Sequence, residues 1–314
     1  MKTQHIITTL LALASAAGAA NPPAPCGAVP TEQQIQWQRM EWYAFVHFGL
    51  NTFTNKEWGY GDEDPGMFNP TQFDADKIVS TFKQAGMKGM IYTAKHHDGF
   101  CLWQTDATKH NISQSPWKEG KGDVAREFST ACKNHGMRFG VYLSPWDRNC
   151  AEYGRPGYLQ VYYKQIEELL TKYGDIFEIW FDGANGGDGF YGGAKEKRNI
   201  GKADDYYKFA DVVKLIRKLQ PNCIIWGAAG RGDASWGGSE QGFVKYPYWN
   251  VINTANAANE RHPRTLADTP DASEKWLALE ADTTINGAGW FWHPNQAGRV
   301  KNPQKLMDDV YMKS

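Results

Sequence analysis

Residues 176–183 read IFEIWFDG, a short apolar run that ends in a carboxylate and a glycine. A continuous apolar run of this length is typical of a strand buried on both faces, as strands of parallel sheets are. The preceding residues, Tyr158 to Tyr173, have helical apolar spacing, and Gly174 supplies the stop signal of a helix C-terminus. The segment therefore predicts a helix followed by a buried parallel strand.

The same alternation of strand and helix recurs on both sides of this segment. We predict strands at 43–50, 87–93, 137–143, 176–181 and 223–226, and helices at 75–85, 123–135, 158–173 and 204–219. Strand starts roughly 40 to 50 residues apart favour a (β/α)8-type TIM barrel with long loops over a doubly wound sheet. Residues 248–253 and 276–279 are candidate sixth and seventh strands and 302–313 a seventh helix, so we expect the barrel to lack its last strand.

Composition and the N-terminus limit the class of protein. The 34 Lys+Arg against 35 Asp+Glu give a net charge of -1, which provides no attraction to nucleic acid or an anionic membrane. Lys2, the apolar run to Ala17 and a small-residue cleavage site predict a signal peptide at 1–19, too short for a membrane span. We expect an extended lead-in at 20–34, a catalytic domain at 35–314, and a secreted or periplasmic product without membrane insertion.

Polar residues collect where the predicted strands end, which is the active-site end of a barrel. They are His47, His96-His97-Asp98, Tyr142 with Trp146, and Asp182. Asp182 is the sharpest candidate, because it ends an apolar strand and is followed by a flexible glycine-rich loop. Four successive strands that deliver such side chains to one rim predict a site.

The histidine pair has two chemical interpretations. His96 and His97 with Asp98 and Asp182 could hold a metal ion. Adjacent residues at a strand end point in different directions, however, and no Cys-x-x-Cys pair is present among the five cysteines. We therefore favour neutral imidazoles that bind sugar hydroxyls, with no metal and no cofactor. Tryptophans in loops and at strand ends, such as Trp290, suit the C–H faces of sugars.

Four motifs in order resemble the glycoside hydrolase family 29 α-L-fucosidases across roughly residues 35 to 314. They are FVHFGLNTFT at 45–54 with Glu57-Trp58-Gly59, KHHDGF at 95–100, GVY at 140–142 and WFDG at 180–183. The resemblance implies a retaining exo-glycosidase on a (β/α) barrel that removes terminal α-L-fucose from fucosylated glycans by double displacement. It also implies that a final strand and a C-terminal β-sandwich would follow residue 314.

The resemblance carries roles onto individual residues. Asp182 matches the nucleophile, and the segment WGGSEQG at 236–242 is similar to the acid/base segment of the branch that favours α-1,3 and α-1,4 linkages, which makes Glu240 the acid/base. Glu280 is the second acid/base candidate or a site-lining residue. The positions that match the fucose pocket are His47, Glu57, Trp58, His96, His97, Tyr142 and Trp180.

The chemistry agrees with these roles, since a retaining glycosidase needs two carboxyl groups about 5 to 5.5 Å apart. Carboxyl groups that close do not both ionise easily, so one keeps its proton near neutral pH. Two alternatives stay open. One is a non-catalytic fucose-binding remnant that lacks the C-terminal part. The other is a metal-dependent barrel hydrolase that uses His96, His97 and Asp182.

Overall fold

The computed structural model describes residues 23–25, 27–244, 250–253, 274–286 and 289–309. The predicted signal peptide at 1–19 lies outside these ranges and stays a prediction. Of the lead-in predicted at 20–34, residues 23–25 and 27–34 are described, and the expectation of an extended chain is wrong for its last three residues, because a helix begins at Glu32. Within the described ranges, no helix has the length and apolar character needed to cross a lipid bilayer.

Seven parallel strands form the central sheet in the order β1-β2-β3-β4-β7-β8-β11. The prediction of an α/β fold with a parallel sheet is therefore confirmed. The bounds of these strands are Ala44–Val46 (β1), Gly89–Lys95 (β2), Arg138–Leu143 (β3), Ile176–Trp180 (β4), Ile224–Trp226 (β7), Ala234–Trp236 (β8) and Ala278–Glu280 (β11). The first four strands are neighbours in chain order, because the helices between them return the chain along the outside of the sheet.

The helices begin and end close to the predicted residues. Their bounds are Glu32–Gln38 (α1), Leu50–Thr54 (α2), Ala75–Gln84 (α3), Val124–His135 (α4), Tyr158–Lys172 (α5), Ala203–Tyr207 (α6), Phe209–Leu219 (α7) and Pro303–Asp309 (α8). Asp74 and Asp123 cap the N-termini of α3 and α4 by accepting backbone N–H groups. The glycines expected to end three helices, at 86, 136 and 174, all have positive φ, which only glycine adopts at little cost.

Two small antiparallel hairpins accompany the sheet, and one of them contradicts a predicted barrel strand. Gly187–Gly189 (β5) pairs with Glu196–Arg198 (β6), and Val251–Asn253 (β9) pairs with Glu274–Trp276 (β10). The prediction of a sixth barrel strand at 248–253 is therefore wrong for its described part. The strand that follows β7 in the sheet is β8, a short segment held by pairing with β7 and β11.

Three further boundaries differ from the predictions. The first strand ends at Val46, and Leu50 begins a helix instead of extending that strand. The helix predicted at 204–219 is broken at Lys208, whose φ of 54° interrupts the helical backbone between α6 and α7. The seventh strand, predicted at 276–279, begins two residues later and ends one residue later, at Ala278–Glu280. The last predicted helix is described only for Pro303–Asp309.

Two apolar layers pack against the two faces of the sheet, and the inner layer shows that the sheet is curled. The larger layer lies between the outer face of the sheet and the helices. The smaller one lies on the inner face, where Phe45 of β1 and Ala278 of β11 pack into a single cluster with Ile91, Tyr142 and Trp226. Because residues from the first and last strands of the sheet meet in one cluster, the sheet is curled with its inner face turned on itself. Closure into a complete eight-stranded barrel stays a prediction.

The four described cysteines, at positions 101, 132, 150 and 223, are free thiols. Cys132 and Cys223 are buried in the apolar core. Burial raises the pKa of the Cys132 thiol to about 12, which keeps it protonated and unreactive.

Candidate active site

A pocket of about 1610 Å³ opens at the carboxyl ends of the parallel strands. Its volume exceeds the roughly 300 to 1,000 Å³ typical of small-molecule sites, so it has room for more than one sugar ring. All but one of the predicted site residues line it, namely His47, Glu57, Trp58, His96, His97, Tyr142, Trp180, Asp182, Glu240 and Trp290. The structure thus brings together residues that lie as far as 243 positions apart in the sequence.

Asp182 is held at the end of β4 by donors on both of its carboxylate oxygens. The Tyr142 hydroxyl donates to Oδ2 at 2.9 Å, and the backbone N–H of Ala184 donates to Oδ1 at 2.7 Å. Nε2 of His97 lies 4.0 Å from Oδ2, and the Asp182 side chain is 26% exposed. A carboxylate fixed at both oxygens and open to the pocket can attack a bound ligand with little reorganisation.

His97 presents a hydrogen-bond acceptor to the pocket. Its Nδ1 lies 2.7 Å from the Ser144 hydroxyl, which donates its single proton to the backbone oxygen of Trp146. Nδ1 must therefore be the donor in the first contact. Burial lowers the pKa of His97 to about 4, although neighbouring Asp182 opposes the shift. The ring is thus neutral near pH 7, and Nε2 keeps a free lone pair beside Asp182.

His96 presents a hydrogen-bond donor to the pocket, where His97 presents an acceptor. Its Nδ1 lies 3.5 Å from the Asn51 side-chain amide, whose N–H donates and so leaves the ring proton on Nε2. Burial and the neighbouring His97 hold the pKa of His96 well below its usual value. His47 packs against Phe45 and Trp290, and burial lowers its pKa to about 3. The three histidines are therefore neutral, which suits hydroxyl recognition.

Glu57 ties the loop after α2 to the segment that carries Trp290. Its carboxylate accepts the backbone N–H groups of Trp290 and Phe291, the latter at 3.3 Å, and lies 2.9 Å from Nε2 of His293. Sequence reasoning missed His293, since no motif marks it. These contacts fix the Trp290 backbone at the pocket wall, and Glu57 therefore acts on the pocket through that segment.

Trp58 lines the pocket with a half-exposed ring. Its side chain is 51% exposed, and its ring packs edge-on against His97 at 4.9 Å and Trp146 at 5.7 Å between centroids. A large aromatic ring exposed at a pocket edge suits the apolar face of a sugar.

Glu280 is the predicted site residue that the structure places elsewhere. Its side chain is 8% exposed, it is not among the pocket-lining residues, and its Oε1 accepts the indole N–H of Trp180 at 3.2 Å. Trp180 lies between it and the pocket and stacks on Trp226 with centroids 3.5 Å apart. The end of β11 thus directs this side chain into the curled sheet and away from the pocket-lining residues, and the role predicted for Glu280 stays a prediction.

A different carboxyl group from the same segment does reach the pocket. Asp282 lines it with Glu240, and its Oδ1 accepts the indole N–H of Trp236 at 2.8 Å. Burial, together with the nearby charges of Glu280 and Glu240, raises the pKa of Asp282 to about 7. Sequence reasoning missed Asp282, although its position just beyond a predicted strand was an available signal. Glu240 itself is exposed, in the loop after β8.

The pocket's histidines and carboxylates do not form a metal centre in the described residues, where no group of three or more His, Cys, Asp or Glu side chains converges to hold an ion. His96 and His97 each engage Nδ1 with a protein group, as described above. Their remaining nitrogens have opposite hydrogen-bonding polarity. The geometry fits a polyhydroxylated ligand, with aromatic rings for its apolar face and Asp182 at its reactive centre.

Comparison with known proteins gives a consistent result. Residues 26–312 match the family model described as Alpha-L-fucosidase. Alpha-L-fucosidase 1 of Arabidopsis thaliana is 39% identical over 294 residues, which cover 93% of this chain and 54% of that protein. Putative alpha-L-fucosidase 1 of Oryza sativa subsp. japonica is 39% identical over 295 residues, covering 93% and 53%. The chain thus spans about half the length of these curated relatives.

Solved structures agree with this result. A glycoside hydrolase 29 family member from an unknown rumen bacterium superposes with a TM-score of 0.84 at 48% identity, covering 92% of this chain and 51% of that one. A Ruminococcus gnavus GH29 fucosidase in complex with fucose has a TM-score of 0.78 at 32% identity, covering 95% and 63%.

Proposed function

This chain belongs to the α-L-fucosidase family, and on that premise we propose that it is a retaining exo-glycosidase that releases terminal α-L-fucose from fucosylated glycans. The observation that carries the proposal is Asp182, fixed by Tyr142 and Ala184 at the end of β4 and open to a pocket that Glu240 also lines. We also propose that the curled sheet is seven strands of a (β/α)8-type barrel, and that residues 1–19 direct export.

The proposed reaction is a double displacement. Asp182 attacks the anomeric carbon of fucose, the glycosidic C–O bond breaks, and an acid donates a proton to the departing oxygen. A water molecule then gives a proton to the residue that acted as the acid, now a base, while its oxygen attacks the anomeric carbon, which breaks the C–O bond to Asp182 and releases fucose. The acceptor Nε2 of His97 and the donor Nε2–H of His96 bind and orient the sugar hydroxyls during both steps.

Glu240 is our assignment for the acid/base. It lines the pocket, whereas Glu280 is separated from it by Trp180. Asp282 is the competing candidate, because a carboxyl group with a pKa of about 7 holds a proton at neutral pH. We further propose a preference for α-1,3 and α-1,4 linkages, supported by the resemblance of residues 236–242, which contribute Trp236, Gly238, Ser239, Glu240 and Gln241 to the pocket lining.

The test combines a substrate panel with two matched variants. Purified protein is incubated with α-1,2-, α-1,3-, α-1,4- and α-1,6-fucosylated oligosaccharides, and the released monosaccharide is identified, which also separates L-fucose from L-galactose. Asp182→Gly should abolish release, and azide should restore turnover of an aryl α-L-fucoside to give β-L-fucosyl azide. Asp175→Gly, an exposed position just before the other end of β4, is the control and should remain active.

Activity of Asp182→Gly without azide would refute the assignment of the nucleophile. Binding of free fucose in calorimetry with no release from any substrate would instead support the non-catalytic alternative. Loss of release on treatment with a chelator would support the metal-dependent alternative.

A further inference from the structure

Behind the pocket floor lies a pair of buried carboxyl groups that the proposed reaction does not use. Glu178 of β4 is fully buried and Glu280 of β11 is 8% exposed. Both side chains lie inside the curled sheet, and their carboxyl groups are within hydrogen-bonding reach of each other. Two ionised carboxylates in such contact would repel strongly in an environment of low polarity.

One oxygen of each carboxyl group has a clear partner. Oε2 of Glu178 accepts the Trp37 indole N–H at 2.7 Å and the Tyr43 hydroxyl at 3.1 Å. Oε1 of Glu280 accepts the Trp180 indole N–H at 3.2 Å. The other two oxygens, Oε1 of Glu178 and Oε2 of Glu280, are buried and receive no protein N–H or O–H donor among the described residues. A proton between the two carboxyl groups would satisfy both.

We propose that Glu178 and Glu280 share one proton, and that this acid–carboxylate pair positions Trp180 in the floor of the sugar pocket. The link to the reacting atoms is direct. Trp180 is stacked between Trp226, at 3.5 Å, and Tyr142, at 5.4 Å between centroids. Tyr142 in turn donates to Asp182 at 2.9 Å. Glu178 and Glu280 are thus positioning residues, and their role in turnover rests on the proposed function.

Neighbouring charges favour retention of the proton. The titratable groups that face the pair from the surrounding segments are Tyr43, Cys223, Asp233 and Asp282. These groups bring no positive charge to the pair, and Asp233 is itself ion-paired with Arg217. Burial raises the pKa of Glu178 to about 7 and holds that of Glu280 well above its usual value. The pair therefore keeps its last proton to a higher pH than an exposed carboxyl group would, and loss of that proton would displace Trp180 through repulsion.

The decisive variant is Glu280→Gln, because a glutamine amide reproduces the protonated acid. Its oxygen can accept from Trp180 and its N–H can donate to Glu178, and neither depends on pH. We expect kcat/KM at neutral pH to stay within about threefold of the wild type, and its alkaline decline to move to higher pH. Glu280→Ala should lower kcat/KM more than about tenfold by leaving the Trp180 N–H and a Glu178 oxygen unpaired.

The same variants separate positioning from acid/base catalysis. A positioning role predicts that Glu280→Ala slows oligosaccharides and activated aryl fucosides alike. An acid/base role predicts that Glu280→Gln is as impaired as Glu280→Ala on oligosaccharides, and that azide then yields α-L-fucosyl azide. Either of these last two results would overturn the proposal.

A matched control comes from Glu168, which is also buried and accepts the indole N–H of Trp103 at 3.0 Å, but does not line the pocket. Glu168→Gln should leave the alkaline decline where it is in the wild type. If Glu280→Gln fails to fold, Glu178→Gln tests the same idea from the other side, since its amide can donate to Glu280. An unchanged alkaline decline in the folded variant would refute the proposal.

A readout independent of turnover keeps this test distinct from that of the proposed function. In the difference between the infrared spectra of the wild type and Glu280→Gln at neutral pH, the shared proton should appear as the C=O stretch of one protonated carboxyl group, and the corresponding difference for Glu168→Gln should lack this band. If the wild type shows this band but releases no fucose, the proposed function fails and the proton pair stands. If fucose is released but the band is absent, the pair is refuted and the function stands.

Discussion

The hydrogen bond from Tyr142 to Asp182 gives the sharpest single test of the site. Tyr142→Phe removes the hydroxyl that lies 2.9 Å from Oδ2 and leaves the ring in place. The ring is 1% exposed and stacks on His96 and Trp180, so phenylalanine keeps its packing. The nearest remaining ring nitrogen, Nε2 of His97, is 4.0 Å from Oδ2, which is too far for a hydrogen bond.

The expected size follows from the type of bond lost. A hydrogen bond to a charged group contributes about 1.5 to 3 kcal/mol, and each 1.4 kcal/mol corresponds to about a factor of ten in rate. If the bond serves to hold Asp182 for attack, kcat should fall by about 10- to 150-fold. Binding of free fucose should change much less, since the rest of the pocket is intact.

Steady-state kinetics on an aryl α-L-fucoside and calorimetry with fucose measure the two effects. Tyr162→Phe is the matched control, because this tyrosine is fully buried, lies outside the pocket and has a hydroxyl without a hydrogen-bond partner among the described residues. It should keep kcat within about twofold of the wild type. A Tyr142→Phe enzyme as active as this control would show that the hydroxyl does not position Asp182.

Two more expectations concern the acid/base and the histidines. Glu240→Ala should slow oligosaccharides by about 10²- to 10⁴-fold but activated aryl fucosides far less, with α-L-fucosyl azide formed in azide; the same pattern in Asp282→Ala instead would move the assignment to Asp282. The pKa of buried His97 is lowered from 6.5 to about 4, so the folded state binds fewer protons than the unfolded chain below pH 6.5. The free energy of unfolding should therefore fall as pH drops from 6.5 towards 4, by up to about 3 kcal/mol for this residue. Urea titrations of the wild type and of His97→Gln at pH 7 and pH 5 isolate this loss from the opposite contribution of carboxyl groups with a raised pKa, such as Glu178 and Asp282, and an equal change in the two proteins would contradict it.

The part of the fold that sequence could predict is the part coded by local signals. Apolar runs mark β2, β3, β4 and β7, and glycines with positive φ end the helices before three of them. Strand β8 was not predicted, because Ala234–Trp236 has no apolar run and becomes a strand only through pairing with its neighbours. The apolar residues at 251–252 led to a false prediction of a barrel strand, since β9 pairs with β10 in a separate antiparallel pair.

In the candidate site, too, some positions follow from local sequence signals and others depend on the folded sheet. His47, Tyr142 and Asp182 follow strands directly, so the parallel sheet alone brings them to one end. The different placements of Glu280 and Asp282 depend on how β11 ends and on which side chain the curled sheet encloses. Sequence order does not contain that information. The break at Lys208 is similar, because a lysine with φ of 54° carries no local signal.

The two proposed reacting carboxyl groups are supported by very different parts of the chain. Asp182 is continuous with a buried strand, whereas Glu240 sits on a surface loop between two short segments. Substitutions around Glu240 can therefore accumulate without disturbing the chain that carries Asp182. For directed evolution towards a different leaving sugar, this makes Gln241 and Phe243, which line the pocket beside Glu240, the natural positions to randomise, with Glu240 itself and the strand before Asp182 left unchanged.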